Sequence, residues 1–341
     1  MPERHSHDHG HGHGPGHGHG HGHGVSADAD RRQLGGALAL IVGFMAVEVV
    51  IGVIAQSLAL ISDAGHMLTD AMAIVLALIA MRIAARPPRG GYTYGLKRAE
   101  IISAQVNGIT LLLLAVYFTY EGIHRLIDPP QVEGLYVVIT GLAGIAVNLV
   151  ATWLLSKANR SSLNVEGAFQ HILNDLYAFI ATTLAGLVVW LTGWGRADAI
   201  AALIVAALML KAGWGLVRDA GRVFMEAAPA EVNPAEVGRQ IAALDNVVEV
   251  HDLHIWEVTS GYAALSAHVL VTPGADCHAA RLAIEELLRD SHGITHTTLQ
   301  VDHATPDSPQ QLTQHCADPH GPTHHALRPD EMAVSDGHTG H

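Results

Sequence analysis

The chain has 341 residues, of which 49% are hydrophobic and only 15% charged, and its formal net charge is −13. Soluble proteins ordinarily contain about 25% charged residues, so this composition argues against a soluble protein. The acidic balance and the lack of basic clusters argue against nucleic acid as a partner.

The N-terminal region contains a low-complexity tract, residues 5–24, in which histidine alternates mainly with glycine. Such a tract has no apolar area to bury, so residues 1–30 are predicted to form a disordered tail. One interpretation is an expression tag, but tags are usually uninterrupted histidine runs. Weak, transient capture of metal ions is the favoured interpretation.

Six apolar segments follow within residues 31–222, and each is close to the length needed to cross about 30 Å of hydrocarbon. They predict an all-α transmembrane bundle of six helices in a lipid bilayer. The segments cover residues 34–55, 58–83, 101–123, 134–156, 167–193 and 198–217.

Basic residues are concentrated in alternate connections between these segments. Because short cytoplasmic loops are enriched in lysine and arginine, this bias predicts that both termini are cytoplasmic. The opposite side has little more than Arg125 and Arg196. The basic residues on the predicted cytoplasmic side are Arg31, Arg32, Arg82, Arg86, Arg89, Lys97, Arg98, Lys157, Arg160, Lys211, Arg218 and Arg222.

Two His-x-x-x-Asp pairs, His66/Asp70 and His171/Asp175, lie in the second and fifth apolar segments. A spacing of four residues places both side chains of a pair on one face of a helix. Ionisable residues at membrane depth are costly and usually face a partner, a cavity or a transport route. Two imidazoles and two carboxylates supply the four ligands that zinc favours. The sequence therefore predicts a metal site within the membrane.

From about residue 223 the chain changes to a soluble character. Its apolar pattern predicts a helix containing Val237 and Ile241, strands at 247–258 and 262–271, a helix at 277–290 and a strand at 297–301. The order αββαβ predicts a cytoplasmic α+β domain of ferredoxin-like type at residues 223–305, with its helices on one face of a sheet. The polar residues 306–341 are predicted to form a second disordered tail.

Three motifs resemble the cation diffusion facilitator family, in particular its bacterial zinc, cadmium and cobalt efflux transporters. They are SLALISDAGHMLTD at 57–70, YGLKRAE at 94–100 and HILND at 171–175. The resemblance extends over residues 34–303. It implies a homodimer in the bacterial inner (cytoplasmic) membrane, in which each protomer exchanges a divalent cation for protons. It also implies a transport site whose ligand types favour zinc over manganese and admit cadmium and cobalt, formed by His66, Asp70, His171 and Asp175.

The same resemblance implies a regulatory zinc cluster in the cytoplasmic domain, at the dimer interface. Its four matching residues are His251, His268, His278 and Asp302. The pattern is broken at Gln300, where some family members have a histidine. Because an amide is a poor zinc ligand, we expect the cluster to be reduced, rearranged, or completed by His254 or Cys277.

The resemblance further implies an ion pair between the helix bundle and the cytoplasmic domain, from Lys97 or Arg98 to Glu226 or Asp219. An exposed ion pair contributes less than about 1 kcal/mol to stability. The expected role of this pair is therefore to fix the position of the domain and not to stabilise the fold. An equally good interpretation is that Lys97 and Arg98 serve only to orient the protein in the membrane.

These observations predict a proton-coupled antiporter that exports zinc from the cytoplasm. A membrane-anchored zinc sensor or storage protein is the main alternative, although it does not account for paired ligands at membrane depth. The sequence has no HExxH motif and no GxxxxGK[ST] motif, so neither a membrane metalloenzyme nor an ATP-driven pump is expected.

Overall fold

The computed structural model describes residues 27–54, 58–128, 134–304 and 321–326. Four of the described helical segments are long and apolar enough to cross a membrane, namely Ala99–Ile127, Val137–Leu155, Leu163–Thr192 and Ala199–Phe224. The predicted helical membrane domain is therefore confirmed, while the predicted number of six spans stays a prediction. The helices of this part of the chain are α1 (Ala27–Ile54), α2 (Leu58–Ala84), α3 (Ala99–Ile127), α4 (Gly134–Leu155), α5 (Leu163–Thr192) and α6 (Arg196–Phe224).

The predicted N-terminal tail is too long, because α1 already begins at Ala27. Asp30, in the first turn, is 5% exposed, and its Oδ1 accepts a 2.7 Å hydrogen bond from the backbone N–H of Asn159. This contact with the loop after α4 secures the start of the helix. The histidine tract itself lies outside the described residues.

These six helices pack in two groups. α1, α2, α4 and α5 share one core, in which Leu34, Ile74 and Ile172 are fully buried. α3 pairs with α6 along a second core that contains Leu111 and Met209. α6 also runs beyond residue 217, the predicted end, because its last turns are buried against the start of α3.

α3 and α6 approach each other closely at two glycines. A Cβ atom added to Gly213 would lie 2.9 Å from the carbonyl oxygen of Gly108 and 3.0 Å from Cγ of Leu112. Rotation of a side chain cannot relieve a contact with a backbone oxygen, so small residues are needed where two membrane helices approach this closely.

We expect Gly213→Ala to destabilise the protein by about 1–3 kcal/mol, the usual cost of overpacking a core. The measurement is the midpoint of thermal unfolding in detergent. Gly215→Ala is the matched control on the same helix, because a Cβ there meets nothing within 4 Å. That variant should be neutral or more stable, since alanine is the better helix former. Equal midpoints for the two variants would contradict the close approach.

The C-terminal part is an α+β domain, as predicted. The strands form one mixed sheet in the order β3-β2-β1-β4, with β1 antiparallel to both β2 and β4, and β3 parallel to β2. Residues of both helices, including Ile241 and Ile284, share one buried cluster with the strands. The elements are α7 (Pro234–Ala242), β1 (Val247–Thr259), β2 (Tyr262–Val271), α8 (Cys277–His292), β3 (His296–His303) and β4 (His324–His325).

The prediction that residues 306–341 are disordered throughout is wrong for one segment. Residues 321–326 are described, and within them His324–His325 forms β4 on the edge of β1. An edge strand presents unpaired backbone N–H and C=O groups that attract another extended segment. A polar composition does not reveal this pairing, because the pairing is made mainly by the backbone. The other residues of the predicted tail from 306 onwards lie outside the described part of the chain.

Candidate metal centre

The membrane domain contains a fully buried group of metal-ligating side chains. Asp70 of α2 lies beside His171 and Asp175, which are one turn apart on α5, and all three are 0% exposed. His171 Nε2 is 3.2 Å from Asp70 Oδ1 and 3.9 Å from Asp175 Oδ2. One ligand atom from each of the three lies within 4.8 Å of the others. Folding therefore joins two residues of the second predicted pair to one residue of the first.

The fourth predicted ligand is His66. Its backbone lies in α2, one turn before Asp70, but its side chain is outside the described residues. Its position as a ligand stays a prediction.

Buried apolar residues lie next to this group on both helices. Met67 and Ile172, the sequence neighbours of the site on its two helices, are both fully buried. Burying charge in such surroundings is costly unless an opposite charge compensates. Two ionised carboxylates and a neutral imidazole carry a formal charge of −2, which a divalent cation neutralises. Imidazole nitrogen and carboxylate oxygen also suit zinc and its neighbours.

Sequence reasoning missed one residue that connects the two helices of the site. Asn164, about two turns before His171 on α5, is 0% exposed, and its Nδ2 donates a 3.0 Å hydrogen bond to the carbonyl oxygen of Ala77 on α2. This bond fixes α5 against α2 near the metal-ligating group. The available signal was an amide on the same helical face as His171; its partner on α2 is not visible in the sequence.

The structure brings only part of the predicted cytoplasmic cluster together. His251 and His268 are directly paired across β1 and β2, with ring centroids 5.4 Å apart. His268 lies opposite Gln300 on β3, and the Gln300 amide donates a 2.8 Å hydrogen bond to Oδ2 of Asp302. Within the described residues of this single chain, no three of the four predicted ligands have ligand atoms within 4.8 Å of one another.

His278 lies in the first turn of α8 and is exposed to solvent. The helix begins there because the side chain of Asp276 accepts hydrogen bonds from the backbone N–H groups of His278 and Ala279, at 2.9 and 3.1 Å. The Ala279 and His278 backbone bonds hold the pKa of Asp276 below its usual value. The cap orients the exposed first turn of α8.

The two residues considered as replacements for a missing histidine lie in different places. His254 Nε2 is 3.0 Å from Asp252 Oδ1, and Oδ2 of the same carboxylate is 3.9 Å from His268 Nε2. Cys277 Sγ lies 3.6 Å from His303 Nε2. His254 is thus connected to the His251–His268 pair through Asp252, whereas Cys277 contacts a different histidine.

Charged residues also connect the membrane domain to the cytoplasmic domain. Arg98, just before α3, contacts Glu226 after α6, with 3.3 Å between Nη2 and Oε1. The ammonium group of Lys97 lies 5.3 Å from the ring centroid of Tyr262 on β2. The Arg98–Glu226 contact matches one of the predicted pairings, and its role in positioning the domain stays a prediction.

Reversing the charge of Arg98 tests that role. Arg98→Glu should change the free energy of unfolding by less than about 1 kcal/mol, because both side chains are solvent-exposed, yet it should slow metal transport by misplacing the domain. The double variant Arg98→Glu/Glu226→Arg should recover the transport rate in proteoliposomes. If the double variant transports metal no faster than Arg98→Glu alone, the Arg98–Glu226 contact does not position the domain.

Comparison with known proteins gives a consistent result for both domains. Residues 36–225 match the family model described as the cation efflux transmembrane domain, and residues 229–304 match that of the cation efflux protein, cytoplasmic domain. The chain is 35% identical over 271 residues to the cadmium, cobalt and zinc/H(+)-K(+) antiporter of Bacillus subtilis, covering 77% of this chain and 86% of the relative.

Two further relatives are similar over most of their length. The metal cation efflux system protein CzcD of Cupriavidus metallidurans is 38% identical over 274 residues, covering 80% of this chain and 87% of the relative. The zinc transporter ZitB of Escherichia coli is 34% identical over 296 residues, covering 86% and 94%. Among solved structures, the metal-bound C-terminal domain of CzcD is 41% identical, covering 20% of this chain and 97% of that one, with a TM-score of 0.20.

Proposed function

Because the chain belongs to the cation efflux family of membrane transporters, we propose that it exports zinc from the cytoplasm in exchange for protons. The observation that carries the proposal is the buried group of Asp70, His171 and Asp175, with His66 as the fourth ligand. A relative named as a cadmium, cobalt and zinc antiporter and a relative named as a zinc transporter support the same cargo class. Cadmium and cobalt(II) accept these ligands as well.

Proton coupling follows from the ligand chemistry. Imidazole binds a metal only when it is neutral, and a carboxylate binds best when it is ionised, so protons and zinc compete for the same atoms. Histidine is the side chain whose charge ordinarily changes near neutral pH. If the site opens alternately to the two sides of the membrane, proton entry from outside releases zinc outward. The protonated site then returns to the cytoplasmic side, where it releases its protons and binds zinc again.

The proposed architecture is a six-span bundle in the bacterial inner (cytoplasmic) membrane, with both termini cytoplasmic. Asp70 and His171 on α2 and α5 then lie within the hydrocarbon layer. The bias of basic residues toward one set of loops supports this orientation.

We further propose a homodimer with a regulatory zinc cluster in the cytoplasmic domains. The adjacent rings of His251 and His268 supply one part of the cluster. A partner subunit would supply what one chain does not bring together, and the exposed first turn of α8 with His278 is suited to this role. Asp302, hydrogen-bonded to Gln300, completes the proposed ligand set.

The test is zinc uptake by proteoliposomes that contain the purified full chain, with a zinc-sensitive dye and a pH-sensitive dye inside. An inwardly directed zinc gradient with an acidic lumen should drive zinc uptake and proton release, and a protonophore should remove the contribution of the proton gradient. Zinc binding to the protein without zinc flux would contradict the proposal and would favour a sensor or storage protein.

A further inference from the structure

The described part of the C-terminal tail is held at the edge of the cytoplasmic sheet. Glu249 pairs with His325 and Val250 pairs with His324 in antiparallel register, and the Ala326 N–H donates a 3.2 Å hydrogen bond to the carbonyl oxygen of Val248. This segment lies beyond residue 304, where the match to the cytoplasmic domain of the family ends.

The two histidines of β4 have different surroundings. His324 is packed against α7, since a Cβ added to Gly238 would lie 2.2 Å from His324 Cδ2. Neighbouring side chains in a strand point to opposite faces of the sheet, so His325 projects from the face away from α7. Its side chain is 66% exposed.

On that face, the carboxylate of Glu249 lies between two imidazoles. Its Oε1 is 3.0 Å from His251 Nδ1, and its Oε2 is 3.7 Å from His325 Nδ1. His251 is two residues from Glu249 on β1, and His325 is the direct cross-strand partner of Glu249. Strand geometry therefore places all three side chains on one face.

Zinc bonds of about 2.0–2.2 Å to nitrogen and oxygen in a tetrahedron place ligand atoms roughly 3.4 Å apart. The His251–Glu249 contact of 3.0 Å and the His325–Glu249 contact of 3.7 Å, made by the two oxygens of one carboxylate, lie on either side of that separation. The three residues do not have ligand atoms within 4.8 Å of one another in the described arrangement, so binding requires one side chain to move. The exposed ring of His325 is able to rotate toward His251. Two imidazoles and a carboxylate leave the fourth position to water, a ligand set that zinc accepts.

An ion at this point also accounts for the docking of the segment. β4 has only two residues, and a single short strand pairing is marginal by itself in water. The contact of His325 with Glu249 is 3.7 Å long and its imidazole is 66% exposed, and ion pairs with an exposed partner contribute little. A metal ion bound by residues of both strands would stabilise the docked segment over the free one.

We propose that Glu249, His251 and His325 bind a divalent transition-metal ion, with Zn²⁺ as the probe, and that this ion fastens the C-terminal segment to β1. The site does not depend on transport. Since a neutral imidazole has one acceptor nitrogen, His251 serves either this ion or the proposed cluster with His268. Fastening of the segment therefore withdraws His251 from that cluster.

The test is hydrogen–deuterium exchange of the metal-free, full-length protein in detergent, with and without Zn²⁺, followed in the peptide that contains residues 321–326. An ion that binds only the docked segment raises the docked-to-free ratio about 100-fold at about 100 times its Kd. We therefore expect exchange in this peptide to slow by up to that factor. His325→Ala and Glu249→Gln should remove the effect of zinc.

His324→Phe is the matched control in the same strand. It keeps an aromatic ring against Gly238, and the described residues provide no hydrogen-bond partner for the His324 Nε2 that it removes. This variant should keep the zinc-dependent protection. The proposal is overturned if zinc does not slow exchange in the unsubstituted protein, or if His325→Ala retains the slowing. In either outcome Glu249 only makes electrostatic contacts with the two histidines, and the transport measurement is unaffected.

Discussion

Asp175→Asn is expected to abolish zinc transport in proteoliposomes. The substitution keeps the size of the side chain but removes one of two buried carboxylates beside His171, so the described part of the site loses a ligand and one unit of its formal charge of −2. Even residues that only support a metal ligand typically cost 10–100-fold in affinity or activity when replaced. We therefore expect the loss to exceed about 100-fold, measured as the initial rate of zinc entry and of coupled proton release.

The control is Glu121→Gln, which removes one carboxylate charge from α3, where Glu121 forms an ion pair with Arg125 at 2.8 Å. This variant should transport zinc at the unsubstituted rate. Both proteins must elute as folded species in size-exclusion chromatography before rates are compared. Unchanged zinc-driven proton flux in Asp175→Asn would remove the buried group from the transport route.

Much of the fold was predictable because its signals are local. Long apolar runs predicted the membrane domain, and alternation on either side of Gly261 predicted the β1–β2 hairpin. The parts that could not be predicted depend on distant partners. α1 starts at Ala27 because Asp30 meets the backbone of Asn159, and β4 forms because β1 has an open edge. Neither partner is identifiable from residues nearby in the sequence.

The candidate site shows the same division. The spacing of His171 and Asp175 predicts that they share a helical face, and the structure has both buried on α5. Their approach to Asp70, a residue about a hundred positions away, was an inference from ligand chemistry and from family resemblance. The hydrogen bond from Asn164 to α2 could not be predicted, because its acceptor is the backbone carbonyl of Ala77. No pattern of side chains reveals such an acceptor.

The cytoplasmic cluster is harder to predict than the membrane site, and Gln300 is the physical reason for this difficulty. His251 and His268 meet because β1 and β2 are antiparallel neighbours. The next strand then presents an amide opposite His268 in place of an imidazole, and that amide is already hydrogen-bonded to Asp302. A single chain therefore presents two adjacent imidazoles but not the four-ligand group, which is why the full cluster is proposed only for the dimer.

His171→Asp is expected to change which metal is transported. The substitution replaces the only imidazole in the described part of the site with a third carboxylate, so that its ligands are all oxygen. Imidazole suits zinc, whereas carboxylate-rich sites suit manganese, and the added negative charge favours hard cations further. We expect the preference for zinc over manganese to fall at least tenfold, which corresponds to about 1.4 kcal/mol.

The measurement is competition between zinc and manganese for uptake into proteoliposomes under a fixed pH gradient. His171→Asn separates charge from ligand type, because it removes the imidazole without adding a carboxylate. This variant should lose zinc transport and gain no manganese transport. If His171→Asp keeps the zinc preference of the unsubstituted protein, selectivity is set by ligands other than His171, and His66 becomes the residue to replace next.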